Sequence, residues 1–290
     1  MQTEIDIIFA MMREIQLSDV LAAVKAGVKQ ACCRLDPAAR ACLGAAAGRE
    51  QNPNARWALE TLLDNAEAAE RQGMPLCQDT GMAVFFVELG QEVRLIGGSL
   101  TDTLDRAVEE AYREGCFRMS VLDPLTRVNT GTNTPAVIHL DLVPGDRLRI
   151  RFLPKGFGSE NMSKLYMLTP AQGLPAALDR VVEAVREAGS NPCPPVVVGV
   201  GFGGTAEKAM EIAKRALLRP LGSPNPDPQL AKIEAELLRR INELGIGAQG
   251  FSGETSALGV HAEKFPTHIS AFPVAVNIQC NAVRTAEVIL

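Results

Sequence analysis

Aromatic side chains are scarce. One Trp, two Tyr and ten Phe make up 4% of the 290 residues, so base-stacking or sugar-stacking platforms are not expected, and Ala, Val, Leu and Ile must fill the core. An excess of positive charge is also missing. With 29 basic and 34 acidic residues in no long block, the formal net charge is -5, which removes the electrostatic footprint of a nucleic-acid or anionic-membrane binder. The apolar run Ile7 to Met12 is too short for a signal peptide or a spanning helix, and the chain is expected to be cytosolic. Cysteine is sparse: seven in this length are too few, and odd in number, for a disulfide scaffold, and in a reducing compartment they stay thiols or bind metal.

What is present is a long helical pattern followed by alternating strands and helices. Apolar residues at three and four spacing run from residue 3 to about 72, with starts at Ser18-Asp19 and Asn54, a break at Asp36-Pro37 and an end at Gly73. Cys32, Cys33 and Cys42 fall there and read as helix-interface filling, since adjacent helical cysteines point in different directions. Met82 to Glu88 reads as a buried strand, and a helix capped by Thr101 runs to Glu114. Ala136 to Leu142 and Arg147 to Leu153, joined by Pro144-Gly145-Asp146, read as a β-hairpin. A helix from Leu174 to Ala188, a strand from Val196 to Val200, a helix from Thr205 to about Arg219 and another from Pro228 to Leu244 follow. The fold class is α/β (α+β): a helical region of about 1–73, then an α/β region of about 74–290 with a mixed sheet flanked by helices, all within one domain.

Three cysteines sit in unusual settings. Cys77 lies in Pro75-Leu76-Cys77-Gln78-Asp79-Thr80-Gly81, a turn that puts a thiol, an amide and a carboxylate side by side. Cys193 is bracketed by Pro192, Pro194 and Pro195, which restrict the local backbone; the alternative is a thiol packed at the foot of a strand. Cys280 ends an apolar extended run and is ambiguous by itself. Their spacing is not that of a zinc finger, but separate loops can hold an iron-sulfur cluster, and three ligands on four irons leave one iron open. Of the three histidines, His139 reads as structural and His261 as undecided. His268 precedes Cys280 by 12 residues and is expected near the same site. Gly199-Val200-Gly201-Phe202-Gly203-Gly204 formally matches a dinucleotide fingerprint, but the acidic residue expected about 20 positions on is missing.

Taken with Asn-Thr-Gly-Thr-Asn at 129–133, Lys-Gly-Phe-Gly-Ser-Glu-Asn at 155–161 and Asn-Pro-Cys-Pro-Pro at 191–195, these segments make the chain resemble the class I, iron-sulfur-dependent fumarases. The likeness is to the α subunit of their two-subunit form and covers most of the chain. It implies one hydro-lyase catalytic domain over 1–290 with a four-iron, four-sulfur (4Fe-4S) cluster on Cys77, Cys193 and Cys280. It also implies substrate contacts from Gln78, Arg118 and Gly156, acid/base or hydrogen-bonding roles for Asp79 and His268, and a separate β subunit that completes the site. Ser159 and Asn161 would shape the adjoining loop. Reversible hydration of fumarate to malate is the activity implied. Tartrate- and mesaconate-type dehydratases share the cysteine pattern, and the tartrate-type α subunits look different at the loop where this chain keeps its Lys155 to Asn161 motif. Phe157 stands where single-chain fumarases have another glycine. A non-catalytic iron-sulfur sensing subunit is the alternative from another class.

Overall fold

The computed structural model describes residues 12–290. The expected helical stretch at 3–11 and most of the Ile7 to Met12 run lie outside the described residues. No helix among the described residues is long and apolar enough to cross a membrane. The fold is α/β, and the chain forms two compact units: the first of residues up to Arg34, Gly73–Lys155 and Arg284–Leu290, the second of Leu35–Gln72 and Gly156–Val283. These units interleave along the sequence and do not follow the 73/74 division.

The first unit begins with β1 (Arg13–Gln16), which pairs in parallel with β3 (Val93–Ile96) where a helix was expected. Four residues are too few to show a period, and only Ile15 is buried. Helix α1 (Leu17–Cys33) follows. The main sheet runs β10 (Ala286–Ile289), β5 (Leu148–Lys155), β2 (Met82–Gly90) and β4 (Val137–Val143). Here the expected hairpin is corrected: β4 and β5 are joined by a short turn but do not pair, because β2 lies between them, parallel to β4 and antiparallel to β5. The turn crosses the end of β2, where Gly90 N–H donates to the Arg147 carbonyl and Gln91 N–H to that of Val143. β2 is a near-continuous apolar run buried on both faces, which suits a central rather than an edge position in the sheet. Helix α1 and helix α4 (Leu100–Glu114) share the core with this sheet through Val24, Val28, Leu104, Val108 and Tyr112, beside the Phe85–Phe152 ring pair. The cap of α4 is Ser99, not Thr101; its hydroxyl accepts from Asp102 N–H.

The second unit carries helices α2 (Pro37–Arg49), capped by Asp36, and α3 (Pro53–Gln72), whose start is held by Asn52 rather than Asn54. Its sheet runs β6 (Lys164–Leu168), β9 (Phe272–Gln279), β7 (Val196–Gly203) and β8 (Ala257–Phe265). Helices α6 (Gly173–Ala188) and α8 (Pro228–Asn242) pack on one face against Val196, Val198 and Val200, and α7 (Ala206–Ala216) packs on the other. The glycines of the apparent dinucleotide fingerprint have a packing role. A Cβ at Gly199 would stand 2.0 Å from the Ala213 carbonyl oxygen and one at Gly201 2.2 Å from that of Ala209, so their absence lets α7 lie directly on β7. A one-turn helix, α5 (Phe157–Glu160), links β5 to β6.

Candidate active site

In the first unit, the segment from Cys77 to Gly81 is entered by way of Leu76, whose N–H donates to the Cys32 carbonyl at 2.9 Å. The backbone of the turn is then seized from beneath. Arg284 Nη2 donates to the Asp79 carbonyl at 3.0 Å, and the Tyr112 hydroxyl lies 2.7 Å from the Thr80 carbonyl and 3.0 Å from that of Gly81. The Asn133 amide adds a bond to the Gly81 carbonyl at 3.1 Å. Arg284, Tyr112 and Asn133 are all buried, so three consecutive carbonyls are satisfied in the core. Gly81 is required here: its φ is +80 and a Cβ would lie 2.8 Å from the Lys155 carbonyl carbon.

The side chains emerge on the other side. Cys77 and Asp79 are half-buried and Gln78 is exposed. Cys77 Sγ donates to Gln78 Oε1 at 3.3 Å, and Asp79 Oδ1 accepts from Gly81 N–H at 3.0 Å, which fixes the carboxylate against its own turn. Arg118 joins this group through its backbone, since the Thr80 hydroxyl donates to its carbonyl at 3.0 Å while its side chain is exposed. The Asn129 to Pro135 loop holds the same stretch. Asn133 Oδ1 accepts from Ser120 N–H at 2.7 Å, and the Asn129 amide donates to the Met119 carbonyl at 2.9 Å. One buried asparagine therefore ties the Arg118 segment to the Cys77 turn.

In the second unit, the Cys193 and Cys280 loops meet. The Cys193 carbonyl accepts from both the backbone N–H and the side-chain amide of Asn281, at 3.2 and 2.8 Å. The next carbonyl, that of Pro194, accepts twice from Gln249, from its N–H at 2.7 Å and its amide at 2.9 Å. These bonds hold Cys193 at φ +54, with its side chain exposed and Cys280 half-buried. The Gly156 to Asn161 part of the lysine-glycine motif adjoins the Cys193 loop. Gly156, buried, caps α5; Ser159 donates to its carbonyl at 3.1 Å; a Cβ at Gly158 would reach the Asn191 carbonyl at 3.4 Å. Glu160 anchors this turn to Lys214 at 2.6 Å and to the Asn277 amide at 3.0 Å.

The family model described as fumarate hydratase (Fumerase) matches residues 21–289. The chain belongs to this family of hydro-lyases. Among its relatives, a protein of Methanocaldococcus jannaschii provisionally named L(+)-tartrate dehydratase subunit alpha is 39% identical over 82% of this chain and 86% of its own length. The L(+)-tartrate dehydratase subunit alpha of Escherichia coli O157:H7 is 37% identical over 79% of this chain and 77% of its own length.

For a member of this family, the thiols divide into two kinds. Cys32 lies in the core, where burial pushes its thiol up to about 12, and Cys33 and Cys42 are likewise raised by burial. These are packing residues, as their helical setting suggested. Cys77 and Cys193 instead stand in loops whose backbone carbonyls accept from side-chain donors, Cys280 directly follows β9, and all three are open or half-open. Soft thiolate donors presented in that way fit an iron-sulfur cluster. Among the described residues, no three His, Cys, Asp or Glu side chains are already gathered as a metal site.

His268 and Cys280 flank opposite ends of β9, an eight-residue strand of about 25 Å at roughly 3.4 Å per residue. Thr267, next to His268, donates to the Gly204 carbonyl at the far end of β7, and His268 itself is exposed with Nδ1 2.7 Å from the Ser270 hydroxyl. A separation of 12 residues spans a strand as easily as a loop, and the apolar alternation of 272–279 was the signal for the strand. His139 stacks on Phe86 with centroids 4.6 Å apart, as a structural residue would. His261 is buried in β8, and burial lowers it to about 4.

Proposed function

We propose that the chain is the cluster-bearing α subunit of a two-subunit dicarboxylate hydro-lyase, and that it adds water reversibly to fumarate to give malate. The observation that carries this reading is the cradled turn, in which buried Arg284, Tyr112 and Asn133 hold the backbone while Cys77, Gln78 and Asp79 face outward beside Arg118.

Cys77, Cys193 and Cys280 would hold a four-iron, four-sulfur cluster. Bound there, the cluster supplies Lewis acidity at the iron that carries no cysteine. The chain's own groups do the rest. Asp79 holds and moves the proton, its carboxylate kept in one orientation by the Gly81 N–H. A positioned acid or base of this kind contributes about 10²- to 10⁴-fold. Arg118 pairs with a substrate carboxylate through its planar fork, on a backbone that the Asn129 to Pro135 loop keeps still. Gln78 orients the substrate by hydrogen bonding, and Gly156 lets the chain approach it closely. His268 is the second acid/base or hydrogen-bonding group, held at the far end of β9 from Cys280 in this chain.

A separate β subunit completes the site. The relatives are named as alpha subunits, and of the substrate-binding groups assigned here only Arg118 is cationic, too few for two carboxylates. The isolated chain therefore binds the cluster but turns over little substrate. L(+)-tartrate is the second reading, favoured by the names of the relatives.

The test is anaerobic reconstitution with the partner subunit, iron and sulfide counting, and parallel assays of fumarate hydration and L(+)-tartrate dehydration. Faster turnover of fumarate supports the first reading, and turnover of tartrate alone moves the assignment to the second. A fully loaded complex that acts on neither would point to a sensing subunit. Unchanged iron content in a Cys193→Ser chain would overturn the ligand set.

A further inference from the structure

We propose that Arg284 is the buried counter-charge of the Cys77 to Asp79 turn, a positioning residue that holds the turn by the Asp79 carbonyl and offsets the negative charge of a thiolate-bound metal centre. This rests on the reading of Cys77 as a cluster ligand.

Arg284 is 1% exposed, the largest fully buried side chain among the described residues. Nη2 donates to the Asp79 carbonyl at 3.0 Å, while Nε and Nη1 are buried with no hydrogen-bond partner. None of its nitrogens donates to a carboxylate. A guanidinium buried in this way is strongly unfavourable on its own, and an apolar side chain would fill the same space without that penalty. The charge therefore serves something negative.

The two titratable groups beside it, apart from Asp79, do not supply that charge. Burial keeps the Cys32 thiol protonated, with its titration pushed up to about 12, and likewise raises that of Tyr112. The Tyr112 hydroxyl is itself engaged with the Thr80 and Gly81 carbonyls. What remains is the turn above: the Asp79 carboxylate and the Cys77 thiolate two residues before it. Three thiolates outweigh the charge of a cluster core, so loading the site brings net negative charge to this turn. A guanidinium supplies a fixed positive charge.

The test uses the full chain, wild type and with Arg284→Lys or Arg284→Gln, reconstituted anaerobically with iron and sulfide. Both substitutions keep a donor toward the Asp79 carbonyl, and only Lys keeps the charge. Three quantities are read: thermal unfolding of the metal-free chain, the rate of iron loss to a chelator, and the reduction potential of the cluster by spectroelectrochemistry. The metal-free Gln chain is expected to unfold at or above the wild-type temperature. Loaded, it should lose iron about tenfold faster or more, with Lys within about threefold of wild type. The potential should fall in the Gln chain and hold in the Lys chain, because removing a nearby positive charge disfavours the added electron. Equal behaviour of the Lys and Gln chains would overturn the proposal. So would a Gln chain that fails to fold without metal, since Arg284 would then serve the fold alone. A wild-type chain that takes up no iron and sulfide overturns the ligand reading of Cys77 as well, and is thus distinct from the other failures.

Discussion

Asn281 gives two donors to one acceptor, the carbonyl of Cys193, at 3.2 Å from its backbone and 2.8 Å from its side chain. Cys193 needs that restraint. Its φ of +54 puts a non-glycine residue in the left-handed region, at a cost of roughly 1–2 kcal/mol. Such strain persists where surrounding bonds over-determine it, and Gln249 supplies a second pair of donors on the next carbonyl.

Asn281→Ala removes one of these donors and leaves the backbone bond. The chain should fold and still take up iron, but retention should weaken about 10- to 100-fold, the usual effect of losing a group that orients a ligand. Iron release to a chelator measures it. Release at the wild-type rate would show that the proline bracket alone holds Cys193.

Asp79→Asn separates chemistry from scaffolding. The asparagine oxygen can still accept from Gly81 N–H, so the turn and the Cys77 thiol should keep their positions. Iron content should match wild type, while kcat of the assembled enzyme drops by about 10²- to 10⁴-fold. A parallel loss of iron would give Asp79 a structural role instead.

Much of this arrangement was legible from residue types alone. Short polar residues and Gly/Pro punctuation marked the Cys77, Asn129 and Cys193 loops, because such residues stabilise turns locally. The α/β class and most helices followed from periodicity and caps. What the sequence hid are long-range partners. Arg284 and Tyr112 reach the Asp79 to Gly81 backbone from 205 and 32 positions away, and nothing local to either residue announces the contact. Asn281 carried a weak signal, as a polar residue directly after Cys280. Strand order failed for the same reason: β4 and β5 are neighbours in sequence, but β2 enters between them, its Val84 pairing with Val137 far down the chain, and pairing depends on packing against neighbouring strands.

Gly201→Ala tests whether the glycine-rich β7 is a packing device. The added Cβ would stand 2.2 Å from the Ala209 carbonyl oxygen, which belongs to helix α7 and cannot swing away as a side chain can. Destabilisation of about 1–3 kcal/mol is expected. Gly44→Ala is the control: it lies inside helix α2 with nothing within 4 Å of the new Cβ, and should stabilise by roughly 0.5–1 kcal/mol. Urea unfolding compares the two. An unaffected Gly201→Ala chain would mean that α7 is free to shift, and that the fingerprint glycines need another explanation.

His261 sets a pH dependence on the second unit. Its ring is 3% exposed in β8, and Nδ1 lies 3.1 Å from the Ala216 carbonyl, which can only accept, so the neutral ring carries its proton there. Burial lowers it from 6.5 to about 4, with Arg219 acting in the same direction and Glu234 and the Ala216 bond opposing. As pH falls below 6.5, the unfolded chain takes up the proton first. Stability that is fully present above that value is lost progressively toward pH 4, by on the order of 3 kcal/mol in all, and this group adds no further loss below it. His261→Gln should flatten this part of the profile, so that the gap between wild type and variant narrows from about pH 7 to about pH 4.5 in urea midpoints. A gap that stays constant across that range would show that His261 does not titrate with unfolding.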